Sequence, residues 1–190
     1  MPAPPGVSIR PLRKTDSEDL QEAIGLRYEE RADGAPIWTT MFLHRPPPEF
    51  EEKAFDGLFR GSSEGSAVVR VAERNGRAVG FCNIAPIIPG EPSEQSHVGE
   101  LGILVHRDHR GLRIGTALLE ACLEAARPRF EMVYLSVWSK NDSAMRLYRR
   151  FGFSPCGHFP RMIKRGGRYF DEERMVLDLS HSPGGSQENR

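Results

Sequence analysis

Residues 98–115, VGELGILVHRDHRGLRIG, constrain this chain more than any other stretch. Leu101, Ile103 and Val105 alternate with Glu100, Gly102 and Leu104, the period of two that marks a strand. A polar turn follows at 107–111, and beyond it Ile114, Ala117, Leu118, Ala121 and Ala125 fall at helical spacing. A strand that runs through a glycine-bearing turn into a helix N-terminus makes a site for an anion. The first helical N–H groups lack internal partners, and the helix dipole puts partial positive charge there. Arg110 and Arg113 add forked cationic donors that suit phosphate oxygens. The stretch therefore reads as a phosphate cradle with a carboxylate, Glu100, a few residues up the strand.

The remaining chain suits a single domain. Its 190 residues are enough for a sizeable core, and 26 basic against 26 acidic side chains leave no net charge to hold nucleic acid in bulk. Cys82, Cys122 and Cys156 are odd in number and far apart, which fits a reducing compartment rather than a disulfide scaffold. No apolar run approaches transmembrane length, and residues 1–6 are Pro-rich without the apolar segment of a signal peptide. The expected location is cytoplasmic, with no membrane partner. Disorder is expected at 1–6 and in the polar tail at 180–190, with the folded domain at 7–179.

In chain order, a strand is expected at 7–12. A helix follows to about Glu30 with Leu20, Ile24 and Tyr28 on one face, and a second helix covers 49–60. Trp38, Met41, Phe42 and Leu43 lie between, either as a core flap or as a pocket wall. Asn75-Gly76 joins two strands at 66–73 and 77–88. After the central strand and the long helix, which Pro128 ends, come a strand at 132–138 and a short helix capped by Asn141, Asp142 or Ser143. Gly152 closes that helix, and a strand pair at 153–163 and 169–179 ends the body. Strands and helices in this order imply one α/β or α+β sheet.

These segments resemble the GCN5-related N-acetyltransferase (GNAT) superfamily. Arg110-Gly-Leu-Arg113-Ile-Gly115 is similar to the family's acetyl-CoA loop, R/Q-x-x-G-x-G/A. Asn141-x-x-Ala144-x-x-Leu147-Tyr148-x-x-Phe151-Gly152-Phe153 is similar to its N-x-x-A-x-x-L-Y stretch with a following Gly-Phe. Ile9-Arg10-Pro11 before a helix, and the hairpin before the central strand, resemble its N-terminal half. The resemblance spans residues 7–179. It departs at Arg113, where the family has glycine: a side chain there either crowds the diphosphate or points along the groove and helps to bind it. A P-loop is excluded by the lack of G-x-x-x-x-G-K-[ST], and a Rossmann fingerprint by the late position of the turn and its Arg at the second glycine.

The resemblance implies a mixed, mostly antiparallel sheet of six to seven strands, about four flanking helices and a splayed central strand pair. It implies acetyl transfer from acetyl-CoA directly to a primary amine, with no metal. The diphosphate would lie against Arg110, Gly111, Leu112, Arg113, Ile114, Gly115 and Thr116, and pantetheine along Ile103, Leu104 and Val105. Asn141 and Ala144 would complete the cofactor site. Glu100 matches the base that deprotonates the amine, its carboxyl raised by desolvation among Leu101, Ile103 and Leu104. Tyr148 matches the acid that protonates the leaving thiolate. Ser136 stands where some peptide N-terminus acetyltransferases carry Glu, which favours a small-molecule acceptor. The alternatives are a protein or peptide acetyltransferase and, in another class, a non-catalytic acyl-CoA sensor. The family also admits a homodimer. His106 and His109 lack a third ligand and read as a solvated loop pair.

Overall fold

The computed structural model describes residues 3–32, 42, 44–90 and 92–180. Trp38, Met41, Leu43 and the tail at 181–190 lie outside the described residues. The chain runs β1 (Val7–Pro11), α1 (Ser17–Ala32), α2 (Pro48–Glu64), β2 (Val68–Arg74), β3 (Arg77–Pro86) and β4 (Val98–Val105). It continues through α3 (Ile114–Ala126), β5 (Met132–Trp138), α4 (Asp142–Arg150), β6 (Ser154–Arg165) and β7 (Arg168–Asp178). The seven strands form one open sheet in the order β1-β2-β3-β4-β5-β7-β6. All neighbours are antiparallel except β4 and β5. The expected sheet, its strand number and its four α-helices are all present.

Local chemistry explains the order. Asn75 (φ 52°) and Gly76 (φ 77°) both take left-handed backbone, the conformation a two-residue hairpin needs to match strand twist. Asp19 on α1 then pins that hairpin, accepting from the Ala78 N–H at 2.7 Å and from Arg77 Nε at 2.8 Å. The Arg10 of Ile9-Arg10-Pro11 reaches across to Asp16 with two bonds of 2.8 and 2.7 Å and also meets Glu73 on β2. Asp16 accepts from the Arg13 N–H at 2.7 Å as well, so one buried carboxylate joins β1 to the entry of α1.

Helix α2 runs four residues beyond the expected Arg60, to Glu64. The Gly-Ser-Ser run at 61–63 does not break it, because Ser63 Oγ donates to the Phe59 carbonyl at 2.9 Å within the turn. Gly65, in left-handed backbone, ends it instead.

The sheet buries both faces. On one, Leu118, Leu119 and Cys122 of α3 and Tyr148 of α4 pack on Ile84, Leu101, Val133, Leu135 and Met175. On the other, Leu20 of α1 and Phe55 of α2 cover Val69, Val71 and Ala78. Alternation along each strand divides the side chains between these two layers. No helix among the described residues is long and apolar enough to cross a membrane.

Removing the Asp16 carboxylate leaves the Arg10 cation half-buried with only Glu73. Asp16→Ala is expected to cost about 3 kcal/mol of unfolding free energy, read from urea denaturation. A loss below about 0.5 kcal/mol would mean that this pair does not anchor α1.

Candidate active site

Strands β4 and β5 pair at only three positions, Val98 with Met132, Gly99 with Val133 and Glu100 with Tyr134. Beyond Glu100 each keeps its outer partner to the end: Val105 stays opposite Gly80, and Trp138 opposite Glu172. The gap therefore opens only between them. It leaves the β5-facing backbone edge of residues 101–105 without a strand partner. A cleft of about 1170 Å³ runs through this gap. Ile24 and Arg27 of α1 wall one side; the start of α3 and the inner face of α4 wall the other. This is the expected splayed central pair.

At the head of α3 the backbone makes a cradle. The N–H groups of residues 111–115 have no hydrogen-bond partner among the described residues, while those of Thr116 and Ala117 both bond the Arg113 carbonyl. Five successive free donors at a helix N-terminus form an anion site. Gly111 (φ 77°) and Arg113 (φ 63°) both take left-handed backbone to aim them. The departure from the glycine pattern thus falls on a position whose backbone favours glycine. The Arg113 side chain is exposed and borders the cleft, so it does not block the cradle.

The residues expected at the cofactor divide in the structure. Ile103, Leu104, Val105, Arg110, Gly111, Arg113, Ile114, Gly115, Thr116, Asn141 and Ala144 all line the cleft. Leu112 does not: it is 44% exposed and faces the N-terminal Pro4-Pro5 segment. Arg110 is not a free cation. Its guanidinium makes two bonds of 2.7 and 2.8 Å to Glu30 of α1, and its Nε donates to the Val105 carbonyl at 3.3 Å. It fastens the loop to the helix. Asn141 caps α4 by accepting from the Ala144 N–H at 3.2 Å, so that amide is already used. Arg146 and Arg150 of α4, which the sequence reading missed, border the same end, and Arg150 donates to Thr116 Oγ1 at 3.2 Å. Their spacing of four residues on one face of a helix was the available signal.

Tyr148 is buried in the cleft wall, its ring edge-on to Phe153. Burial pushes its phenol well above the usual tyrosine range, with Cys82 adding to the rise and Arg27 opposing it. Glu100 differs from expectation. It stands at the last paired position of β4, its side chain 49% exposed and 3.6 Å from Arg174, outside the cleft lining. Leu101 and Ile103 point to the opposite face of the strand and so do not desolvate it. Glu172 on β7 does line the cleft and has no hydrogen bond or ion pair among the described residues. Asn83 on β3 lines it with its amide also unbonded.

Two further residues line the cleft. Arg27 lines the cleft with a fully buried Nε that has no hydrogen-bond partner among the described residues. On α1 the side chains of Leu20 and Ala23 are buried, while Ile24, Arg27 and Tyr28 are half-buried. Burial, with Arg110 nearby, pushes the Arg27 guanidinium down to about 10, still charged at neutral pH. His109 is half-buried at the cleft rim, 3.4 Å from Arg74, while His106 Nδ1 accepts from the Asp108 N–H. Burial and the neighbouring His106 lower the His109 pKa.

Residues 33–153 match the Acetyltransferase (GNAT) family, and the chain belongs to it. It is an acetyltransferase of that family. It is 27% identical over 171 residues to an L-methionine sulfoximine/L-methionine sulfone acetyltransferase of Pseudomonas aeruginosa, covering 88% of this chain and 94% of that protein. It is 24% identical over 184 residues to a spermidine N(1)-acetyltransferase of Escherichia coli, covering 93% and 88%. The fold matches that of yncA from Salmonella typhimurium, solved with its cofactor acetyl-CoA, at a TM-score of 0.74 and 20% identity over 94% and 97% of the two chains.

The strained Arg113 gives a test of the cradle. Arg113→Gly is expected to raise unfolding free energy by about 0.5–1 kcal/mol, since relief of left-handed strain exceeds the added chain entropy. It is also expected to weaken acetyl-CoA several-fold in calorimetry, by removing a cation beside the cradle. Unchanged or tighter affinity would show that Arg113 is no phosphate ligand.

Proposed function

We propose that this protein transfers the acetyl group of acetyl-CoA to the primary amine of a small molecule. The observation that carries the reading is the continuity of two unpaired backbone surfaces. The strand edge at 101–105 leads directly into the five free N–H groups at 111–115. Acetyl-CoA supplies an activated thioester at the end of a long diphosphate tether, and these surfaces match its two parts. The amides of 111–115 would hold the diphosphate, with Arg113, Arg146 and Arg150 adding charge at the rim. The open β4 edge would pair with the pantetheine amides and offer an N–H to the thioester carbonyl.

Tyr148 suits the acid that protonates the departing sulfur. Its raised pKa keeps the proton on the phenol at neutral pH. The base has two candidates. Glu100 stands at the last paired position before the gap, half-exposed beside Arg174, and would act through water. The Glu172 side chain lies in the cleft wall without an ion pair among the described residues, which favours direct contact with the incoming ammonium. Small-molecule acceptors are favoured because the long-aligned relatives are named for methionine sulfoximine and spermidine.

Release of free thiol from acetyl-CoA over a panel of amino acids, polyamines and peptides tests the reading. Turnover on peptides alone would give a protein acetyltransferase, and tight binding without turnover a sensor. Tyr148→Phe is expected to lower kcat at least about tenfold with little change in acetyl-CoA affinity. In the wild type, kcat is expected not to fall between pH 7 and about 10, because an acid with a raised pKa stays protonated there. A basic limb near pH 8 that disappears in Tyr148→Phe would remove Tyr148 from the acid role. Glu100→Gln and Glu172→Gln separate the two bases: the true one loses the acidic limb of kcat/KM, and the other keeps it.

A further inference from the structure

Arg27 presents an electrostatic imbalance that the cofactor cradle does not absorb. A guanidinium taken out of water is costly unless a carboxylate or similar acceptor meets it. The carboxylate one helical turn away, Glu30, is fully engaged, holding Arg110 with both oxygens at 2.7 and 2.8 Å. Two arginines therefore share one glutamate at this end of α1. The charge left over lies in the wall of a cleft that Ile24, Phe81 and Leu104 also line. The unbonded Asn83 amide lines the same cleft. Arg27 and Tyr148 line the same cleft.

We propose that Arg27 binds a carboxylate of the acceptor, so that the acceptor carries an amine and a carboxylate together, as an amino acid does, and is not a polyamine. This deepens the acetyl-transfer reading and rests on it. A carboxylate oxygen pair matches the fork of a guanidinium and would fill the vacant Nε donor. The Asn83 amide offers a further neutral donor. On the β7 side, Glu172 offers the opposite charge to an ammonium, and both side chains line the one cleft. A polyamine would bring positive charge against Arg27 with nothing to offset it. Among the relatives, one is named for an amino-acid derivative and another for spermidine, and a cation in the cleft wall suits the first of these chemistries.

The test uses L-amino acids, the corresponding amino-acid amides and spermidine as acceptors for the full chain, as wild type, Arg27→Met and Arg27→Lys. The wild type is expected to favour the best acid over its amide by at least about tenfold in kcat/KM. Arg27→Met should raise KM for that acid on the order of ten- to a hundredfold, leaving its amide within about twofold and the acetyl-CoA thermal shift unchanged. Arg27→Lys should fall between, because a point charge restores part of the attraction. The proposal is overturned if the amide or spermidine serves the wild type as well as the acid does. It is also overturned if Arg27→Met slows acid and amide alike, which would put Arg27 at the thioester, or if acetyl-CoA binding is lost. Should no acceptor turn over, the acetyl-transfer reading fails by itself. Calorimetry of the same acids and amides against the CoA-bound protein then decides the carboxylate question. Acid-selective binding that vanishes in Arg27→Met sustains it, and its absence ends it.

Discussion

The parting of β4 from β5 after three paired residues is the constraint on which the rest of this structure depends. A buried sheet ordinarily satisfies its backbone groups to the end of each strand. Here Val98, Gly99 and Glu100 are paired, and from Leu101 onward β4 is held only from the β3 side. The opening remains stable because β5 is held just as fully from the β7 side through Trp138. The unmet hydrogen-bonding capacity is thus concentrated in one place and faces a cleft.

The same chain segment then supplies a second set of unmet donors. Within ten residues of the parted strand, the backbone turns through two left-handed positions and exposes five N–H groups at the head of α3. Arg110 holds that turn against both β4 and α1, which explains why a residue suited to phosphate is spent on Glu30. Loop position is worth more here than one additional cation, since the backbone donors act only if they converge. Burial in the layer beneath raises the Tyr148 pKa and leaves Arg27 Nε without a hydrogen-bond partner among the described residues. Partial burial in the cleft wall also makes its charges consequential.

Much of this was legible in the chain. The switch of period from two to 3.6 across residues 98–118 marks the strand and helix of the cradle, Asn75-Gly76 marks the hairpin, and the Asn141 signature marks the capped short helix. Each is a local signal, carried by residues a few positions apart. Other features depend on distant partners. Arg110 and Glu100 each meet a partner 80 or 74 positions away in sequence, namely Glu30 and Arg174. A residue's type states what it is able to bond, and only the assembled fold states whether that capacity is already used.

The sequence by itself determined the order of elements, the sheet class and the place of the anion cradle. Those follow from periodicity, turn chemistry and the free N–H groups at any helix start, all of which act over one or two turns of chain. The tertiary structure alone decided where β4 and β5 separate, that Glu100 faces solvent and Arg174 while Glu172 faces the cleft, and that one arginine of α1 keeps an unmatched charge. Strand separation and charge pairing are set by which distant segments pack together, and that information lies in no single stretch of the chain.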